Sequence, residues 1–255
     1  MGHQQALSEI AAEQSVVEGT LSYRAQFSYA ATTGVLSASW MIPFEDALPI
    51  RRLSAFKGQR NFVGLWWCAT NLRHVGFESW CERDRLMRLD FEPEVTGVAS
   101  QPFRISLPAS APQDSHVPDF FVRNADGTAV VIDVRPDTLV TEADLAVFEA
   151  TAALCASVGW GYQRVGYLAV IHAANLRWIA GYRHPRCYRE DVGTEVLAYL
   201  ESKGPHQIRS LVASLGDPVC VVPTVFHLIW QHRIAADLLT TPLCLESVIE
   251  VHEKP

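Results

Sequence analysis

The 255 residues are 49% hydrophobic and 19% charged, which is enough apolar material for one large domain or a core domain with a small appendage. A net charge of −7 excludes simple non-specific adhesion to nucleic acid. No run approaches the roughly 18 apolar residues of a membrane helix, and no basic-then-apolar leader opens the chain, so a cytoplasmic protein with no membrane partner is expected.

Residues 1–18 read as a loosely held polar tail. "LSYRAQFSYAATTGVLSASWMIPF" (21–44) reads as two or three short strands around the "ATTG" turn, and "FKGQRNFVGLWWCATNLRHVG" (56–76) as loop or hairpin. A helix is predicted over 77–91, before Pro93. Glu78, Glu82, Leu86 and Leu89 share one of its faces, with Glu78 placed as a capping acid and Glu82 a turn deeper. Next comes a strand over 95–107, with Gln101-Pro102 near its middle. The hairpin 119–123/129–135 is followed by a helix over 141–159, with Thr141 as N-cap and Asp144 three residues on. "GYLAVIHA" is predicted as a strand and "NLRWIAGYR" as a helix, so strands and helices alternate in an α/β core with a partly mixed sheet. From about 190, two helices around Gly216-Asp217-Pro218 and a two-strand ribbon suggest a small winged-helix-like unit. The divisions expected are a tail (1–18), a core domain (19–188) and a C-terminal domain (189–255).

Charge is uneven along the chain. Residues 51–88 hold eight Arg and Lys against three acids, a local balance of +5 in a chain of −7. Such a stretch suits an anionic ligand; Lys57, Arg60, Arg73 and Arg83 are the residues expected to meet DNA phosphates. Six cysteines without a CxxC pair read as plain buried thiols.

The hairpin "HVPDFFVRNADGTAVVIDVRP" (116–136) carries the chemistry. A five-residue connection would set Asp119 opposite Asp133, their Cβ atoms about 4.5–5.5 Å apart, whereas a four-residue turn would slip the register. Paired carboxylates at that spacing suit Mg²⁺ or Mn²⁺, and Arg135 shares the face of Asp133. A cation beside a carboxylate-bound metal is suited to phosphodiester hydrolysis.

Proline-aspartate followed by an apolar run ending Asp-x-Arg resembles the PD-(D/E)xK nuclease signature, with Arg135 in the lysine place. More specifically, "SWCERDRLMRLDFEPEVTGVASQ" (79–101) is similar to the S-x-x-E … V-x-x-I-x-x-Q segment of the TnsA-like transposase endonuclease subunits. The likeness covers about residues 20–250. It implies a restriction-endonuclease-like core with a mixed central sheet flanked by helices, plus the winged-helix-like region. It also implies Mg²⁺ or Mn²⁺ held by Glu82, Asp119 and Asp133, with Arg135 at the phosphate and Gln101 and Glu78 nearby. The partners implied are double-stranded DNA and a transposase or DNA-recognition subunit in a bacterial cytoplasm, and a homodimer is compatible with it.

Arginine cannot act as lysine does toward the attacking water, because it stays charged and serves only as a clamp. The alternative expectation is therefore a nuclease-fold DNA-binding or assembly protein with weak or lost cleavage. His172, His184 and Cys187, or His227 and His232, match no zinc spacing, and no GxSxG, P-loop or GxGxxG occurs. Trp66, Trp67, Tyr182 and Trp230 read as core or DNA-shelf aromatics.

Overall fold

A computed structural model describes residues 19–28, 30–51 and 62–252, and among these the chain is a mixed α/β protein with several sheets. Strands β1 (Thr20–Tyr23) and β2 (Thr32–Val35) pair antiparallel, but "ATTG" (31–34), read from the sequence as the turn, lies almost wholly within β2. Single turns of 3-10 helix then cover Leu36–Ala38 and Phe44–Asp46. Phe44 is fully buried and meets Tyr23, Phe103, Phe121 and Trp160 edge-on, with ring centroids 5.0–5.6 Å apart. A hairpin follows, made of β3 (Gly64–Cys68) and β4 (Arg73–Phe77).

Helix α1 is Trp80–Phe91, three residues shorter at its start than predicted, because Ser79 is its N-cap. The strand predicted over 95–107 divides into β5 (Val95–Ser100) and β6 (Phe103–Ser106). The break is at Gln101, whose φ of 47° is left-handed and uncommon for a residue with a side chain; Pro102 then removes a ladder donor. One run of sequence thus feeds two sheets. β6 joins β1, β2 and β7 (Ser115–His116) in the order β2-β1-β6-β7.

The second sheet is mixed, in the order β10-β9-β8-β5, with β8 (Phe120–Asn124), β9 (Ala129–Val134) and β10 (Gly161–Val165). β5, β8 and β9 pair antiparallel, and β10 runs parallel to β9 after a crossover through α2 (Glu142–Ser157). Thr141 and Asp144 form the expected capping box, and Gly159 takes the left-handed φ of 76° just past the helix end. Alternation places Phe120, Val122, Ile132 and Val134 with Leu86 and Cys81 of α1, and Phe121, Ala129 and Val131 with Val147, Leu154 and Cys155 of α2. On the outer edge of β5, the Asn71 amide accepts from the Val98 N–H and donates to the Val98 carbonyl, both at 3.0 Å.

The predicted strand "GYLAVIHA" is not one. β10 ends at Val165, and Val170–Ile179 is helix α3. Ala173, Leu176 and Ile179 are buried while Val170 is exposed, so the apolar run follows the helical rather than the strand period. On α1, Asp84 is buried and receives two bonds from Arg177 of α3, at 3.1 and 2.5 Å, and so ties the two helices together.

The C-terminal part runs α4 (Glu190–Lys203), β11 (His206–Gln207), α5 (Ile208–Leu215), α6 (Pro218–Trp230), β12 (Ile234–Ala236) and β13 (Val248–Val251). The ribbon is three-stranded rather than two-stranded, in the order β11-β13-β12. Its apolar core also takes in Met87, Phe91, Leu176 and Ile179, so packing continues across residues 188 and 189. From Val221 to Trp230, α6 is almost wholly buried. No helix among the described residues is long and apolar enough to cross a membrane.

Candidate active site

The five-residue connection forms. Arg123 pairs with Ala129 and Phe120 with Ile132, a register that brings Asp119 opposite Asp133. The turn is fastened by Asp126, which accepts from the Thr128 N–H and hydroxyl, and by Gly127 at a φ of 84°. Asp119 sits just outside β8, where its carbonyl accepts from the Gln101 N–H at 2.8 Å. Its Oδ2 accepts from the Val134 N–H at 2.7 Å.

The two facing aspartates have different surroundings. Asp133 is only 3% exposed, and its carboxylate is matched by donors: His116 Nε2 lies 2.9 Å from both oxygens and the Tyr162 hydroxyl donates to Oδ2 at 2.7 Å. Burial pushes the Tyr162 hydroxyl pKa up, and the Asp133 charge adds to that. Asp119 has one backbone donor and two acidic neighbours. Its pKa is raised well above the ordinary carboxylate range, first by burial and then by the charges of Glu82 and Asp133.

Glu82 is placed by the start of α1. The Ser79 hydroxyl accepts from the Glu82 N–H at 3.1 Å and donates to Glu82 Oε1 at 2.9 Å, while Glu82 Oε2 accepts from the Glu78 N–H at 2.7 Å. Ser-x-x-Glu therefore acts as a capping arrangement. The capping role expected of Glu78 belongs to Ser79 and Glu82. Glu78 stands ahead of the helix and receives both Arg51 amino groups, at 2.9 and 2.5 Å. Burial raises the Glu82 pKa, opposed by its bonds to Glu78 and Ser79. The Arg51 charge lowers both Glu82 and Asp119, although neither touches it.

Gln101 is buried at 2% exposure, and its side-chain Oε1 has no hydrogen-bond partner among the described residues. Arg135 lies on the α2 side with Asp133, where its guanidinium reaches Asp144 at 3.3 Å; its side chain is 43% exposed. Its Nε is buried without a partner.

The expected phosphate-tracking arginines are occupied. Arg73 pairs with Asp46 at 3.2 Å and with the Glu45 carbonyl. Arg83 pairs with Asp84 at 2.6 Å and lies over the Trp80 ring. Arg85 donates to the Gly166 and Tyr167 carbonyls, and Arg88 pairs with Glu92. Among the described residues, the arginines of this stretch are therefore engaged within the fold. Lys57 and Arg60 lie outside the described residues, as do residues 1–18.

Three contributors were not singled out from the sequence. Arg51 was one of eight basic residues in its stretch, and nothing local marks it as the one beside the acids. His116 stands three residues before Asp119 and reaches Asp133 only because β7 lies beside the hairpin. Tyr162 is brought in by the parallel pairing of β10. Among the expected aromatics, Trp66 donates to Asp90 at 2.9 Å, and Tyr182 and Trp230 pack in the core. His227 and His232 each bond a backbone carbonyl, as ordinary packed histidines do. Cys68, Cys81 and Cys155 are buried, and burial pushes the first and last up to about 12; Cys220 and Cys244 are exposed, contrary to expectation.

Among the described residues, no three His, Cys, Asp or Glu side chains stand close enough together to hold an ion as they are. The donor chemistry nevertheless fits a hard divalent cation: oxygen-only groups, mutual repulsion at Asp119 and an unpartnered buried Gln101 oxygen on the residue bonded to it. Compared with known families and curated proteins, the chain matches no family model and no curated protein.

Proposed function

We propose that this protein is a divalent-metal-dependent DNA endonuclease subunit of a transposition system, with a restriction-endonuclease-like core around the mixed sheet. The observation that carries this reading is the placement of Asp119 opposite Asp133 and within the charge field of Glu82, at the end of an antiparallel pair. Glu82 and Asp119 are the residues that would hold Mg²⁺ or Mn²⁺, with Asp133 across from them and Gln101 alongside. Bound there, such an ion supplies an acidified water and neutralises phosphate charge. Val134 N–H fixes Asp119 Oδ2, the α1 cap fixes Glu82, and His116 with Tyr162 holds Asp133 in one orientation. Arg135 is half-exposed and loosely paired, so its guanidinium can leave Asp144 for a scissile phosphate at small cost.

The order helix, strand, helix, helix, strand, strand after residue 190 supports a winged-helix reading of the C-terminal region. Its third helix, α6, is buried beyond an exposed first turn (218–220), which favours contact with a partner transposase or recognition subunit over reading bases along the helix.

The test is cleavage of supercoiled plasmid with Mn²⁺ or Mg²⁺, alone and with a partner transposase. Wild-type protein should cut at least about 100-fold faster than Asp119→Ala; equal rates would refute the enzymatic reading. A second reading, a nuclease-fold DNA-binding or assembly protein without cleavage, is favoured by the donors already filling Asp133 and by the paired arginines. It predicts DNA binding indifferent to Asp119→Ala. Arg135→Lys separates the two: gained cleavage marks a decayed site, and lost cleavage marks one adapted to arginine.

A further inference from the structure

The acids of the candidate site already have a cation of the chain's own beside them. Arg51 ends the segment 48–51, which backbone bonds fasten to the rest of the fold. The Leu48 N–H donates to the Arg24 carbonyl and the Ile50 N–H to the Gln101 carbonyl, both at 2.9 Å. The Gln101 N–H donates in turn to the Asp119 carbonyl at 2.8 Å. On the other side, the Glu78 carboxylate accepts from both amino groups of Arg51, at 2.9 and 2.5 Å, and the Glu78 N–H donates to Glu82 Oε2 at 2.7 Å. Arg51 is thus tied to the cluster twice, through Gln101 to Asp119 and through Glu78 to Glu82.

The other charged groups around the cluster have their own partners. His116 and Tyr162 serve Asp133, and Arg135 reaches Asp144. Arg83 is spent on Asp84, and Arg85 on the Gly166 and Tyr167 carbonyls. Arg51 is the cation whose charge lowers the pKa of both Glu82 and Asp119, against the burial that raises them. Its side chain is 44% exposed while that of Glu78 is 18% exposed, so it keeps a face toward water.

Two cations drawn to one set of carboxylates repel each other. We infer that Arg51 is the resident counter-cation of Glu78, Glu82 and Asp119 and opposes the entry of a divalent ion among them. The inference rests on the metal-site reading above and adds a residue that holds the affinity of that site down. Without metal, the same charge relieves the repulsion between the acids.

Titration calorimetry of the full chain with Mn²⁺, without DNA, tests it. Arg51→Gln should bind Mn²⁺ about three- to tenfold more tightly than wild type at low ionic strength, and added salt should shrink the difference. Arg51→Lys keeps the charge but gives up the two-pronged hold on Glu78, so its Kd should stay near that of wild type. A purely structural Arg51 would instead make both variants bind more weakly. In an Asp119→Ala background the gain from Arg51→Gln should vanish. Thermal melts check folding and read the same quantity: at equal concentration, Mn²⁺ should raise Tm more in Arg51→Gln than in wild type. Arg51→Met takes its place if the glutamine variant does not fold. Equal or weaker Mn²⁺ binding by Arg51→Gln, with wild type binding saturably, overturns the role of Arg51 and leaves the metal reading standing. Saturable binding by none of these proteins overturns both.

Discussion

The α1 side and the α2 side of the mixed sheet meet at one pair of facing aspartates and treat them in opposite ways. On the α2 side, Asp133 is buried and fully matched by His116 and Tyr162. Toward α1, Asp119 has a single backbone donor and lies in the field of Glu82 and Asp133. A buried carboxylate with its donors in place is part of the architecture. One crowded by its own kind carries unfavourable charge that a proton, the Arg51 charge or an incoming cation can offset. On the proposed function, the α1 side would take the ligand and the α2 side would support it.

That contrast can be broken most forcefully at Asp119. Calorimetric Mn²⁺ binding should fall at least about tenfold in Asp119→Ala. If binding persists there but disappears in His116→Ala, the roles of the two sides are reversed. The next effect is on stability. Tyr162→Phe or His116→Ala withdraws a donor from a buried carboxylate and should cost about 1.5–3 kcal/mol, a fall of roughly 4–10 °C in Tm. An unchanged melting curve would show that Asp133 is not the structural member of the pair.

Smaller and opposite in sign is the effect of removing charge on the α1 side. A carboxyl group whose folded pKa is raised holds its proton more tightly in the folded state. Stability without metal is then highest below the unfolded value, and declines as pH rises from there through the raised values of Asp119 and Glu82. Asp119→Asn should flatten that decline and add about 1 kcal/mol at neutral pH without metal. Mn²⁺ should stabilise wild type more at pH 8 than at pH 5, as read by thermal melts. A flat wild-type profile would remove the repulsion on which the comparison rests. The smallest effect belongs to Arg135→Ala, about 0.5 kcal/mol or less, because its pair with Asp144 is loose and half in water.

The sequence narrowed the hairpin register to two choices, a five-residue connection with Asp119 opposite Asp133 or a four-residue turn one residue out of step, and the structure takes the first. The α2 capping box was likewise readable from Thr141 and Asp144 alone. Three features were not. "GYLAVIHA" is too short for its periodicity to separate strand from helix, and the buried contacts of Leu176 and Ile179 decided it. The turn of the chain at Gln101 depends on a left-handed backbone that glutamine does not advertise. The partners of Asp133 come from β7 and β10, and long-range pairing of short strands leaves little local trace. Glu82 was legible as an important residue, but Ser-x-x-Glu is also the signature of a helix start, and only the structure reveals that both oxygens are engaged there.

Asn71 has a bearing on the protein's behaviour in a crowded solution. β5 is the border strand of the mixed sheet, and unpaired border strands invite pairing with other chains. The Asn71 amide meets both polar groups of Val98 as a neighbouring strand would, so it acts as a one-residue counterfeit of that neighbour. Asn71→Ala should leave the facing aspartates undisturbed while making the protein self-associate at high concentration, an outcome that light scattering would register before any spectroscopic change.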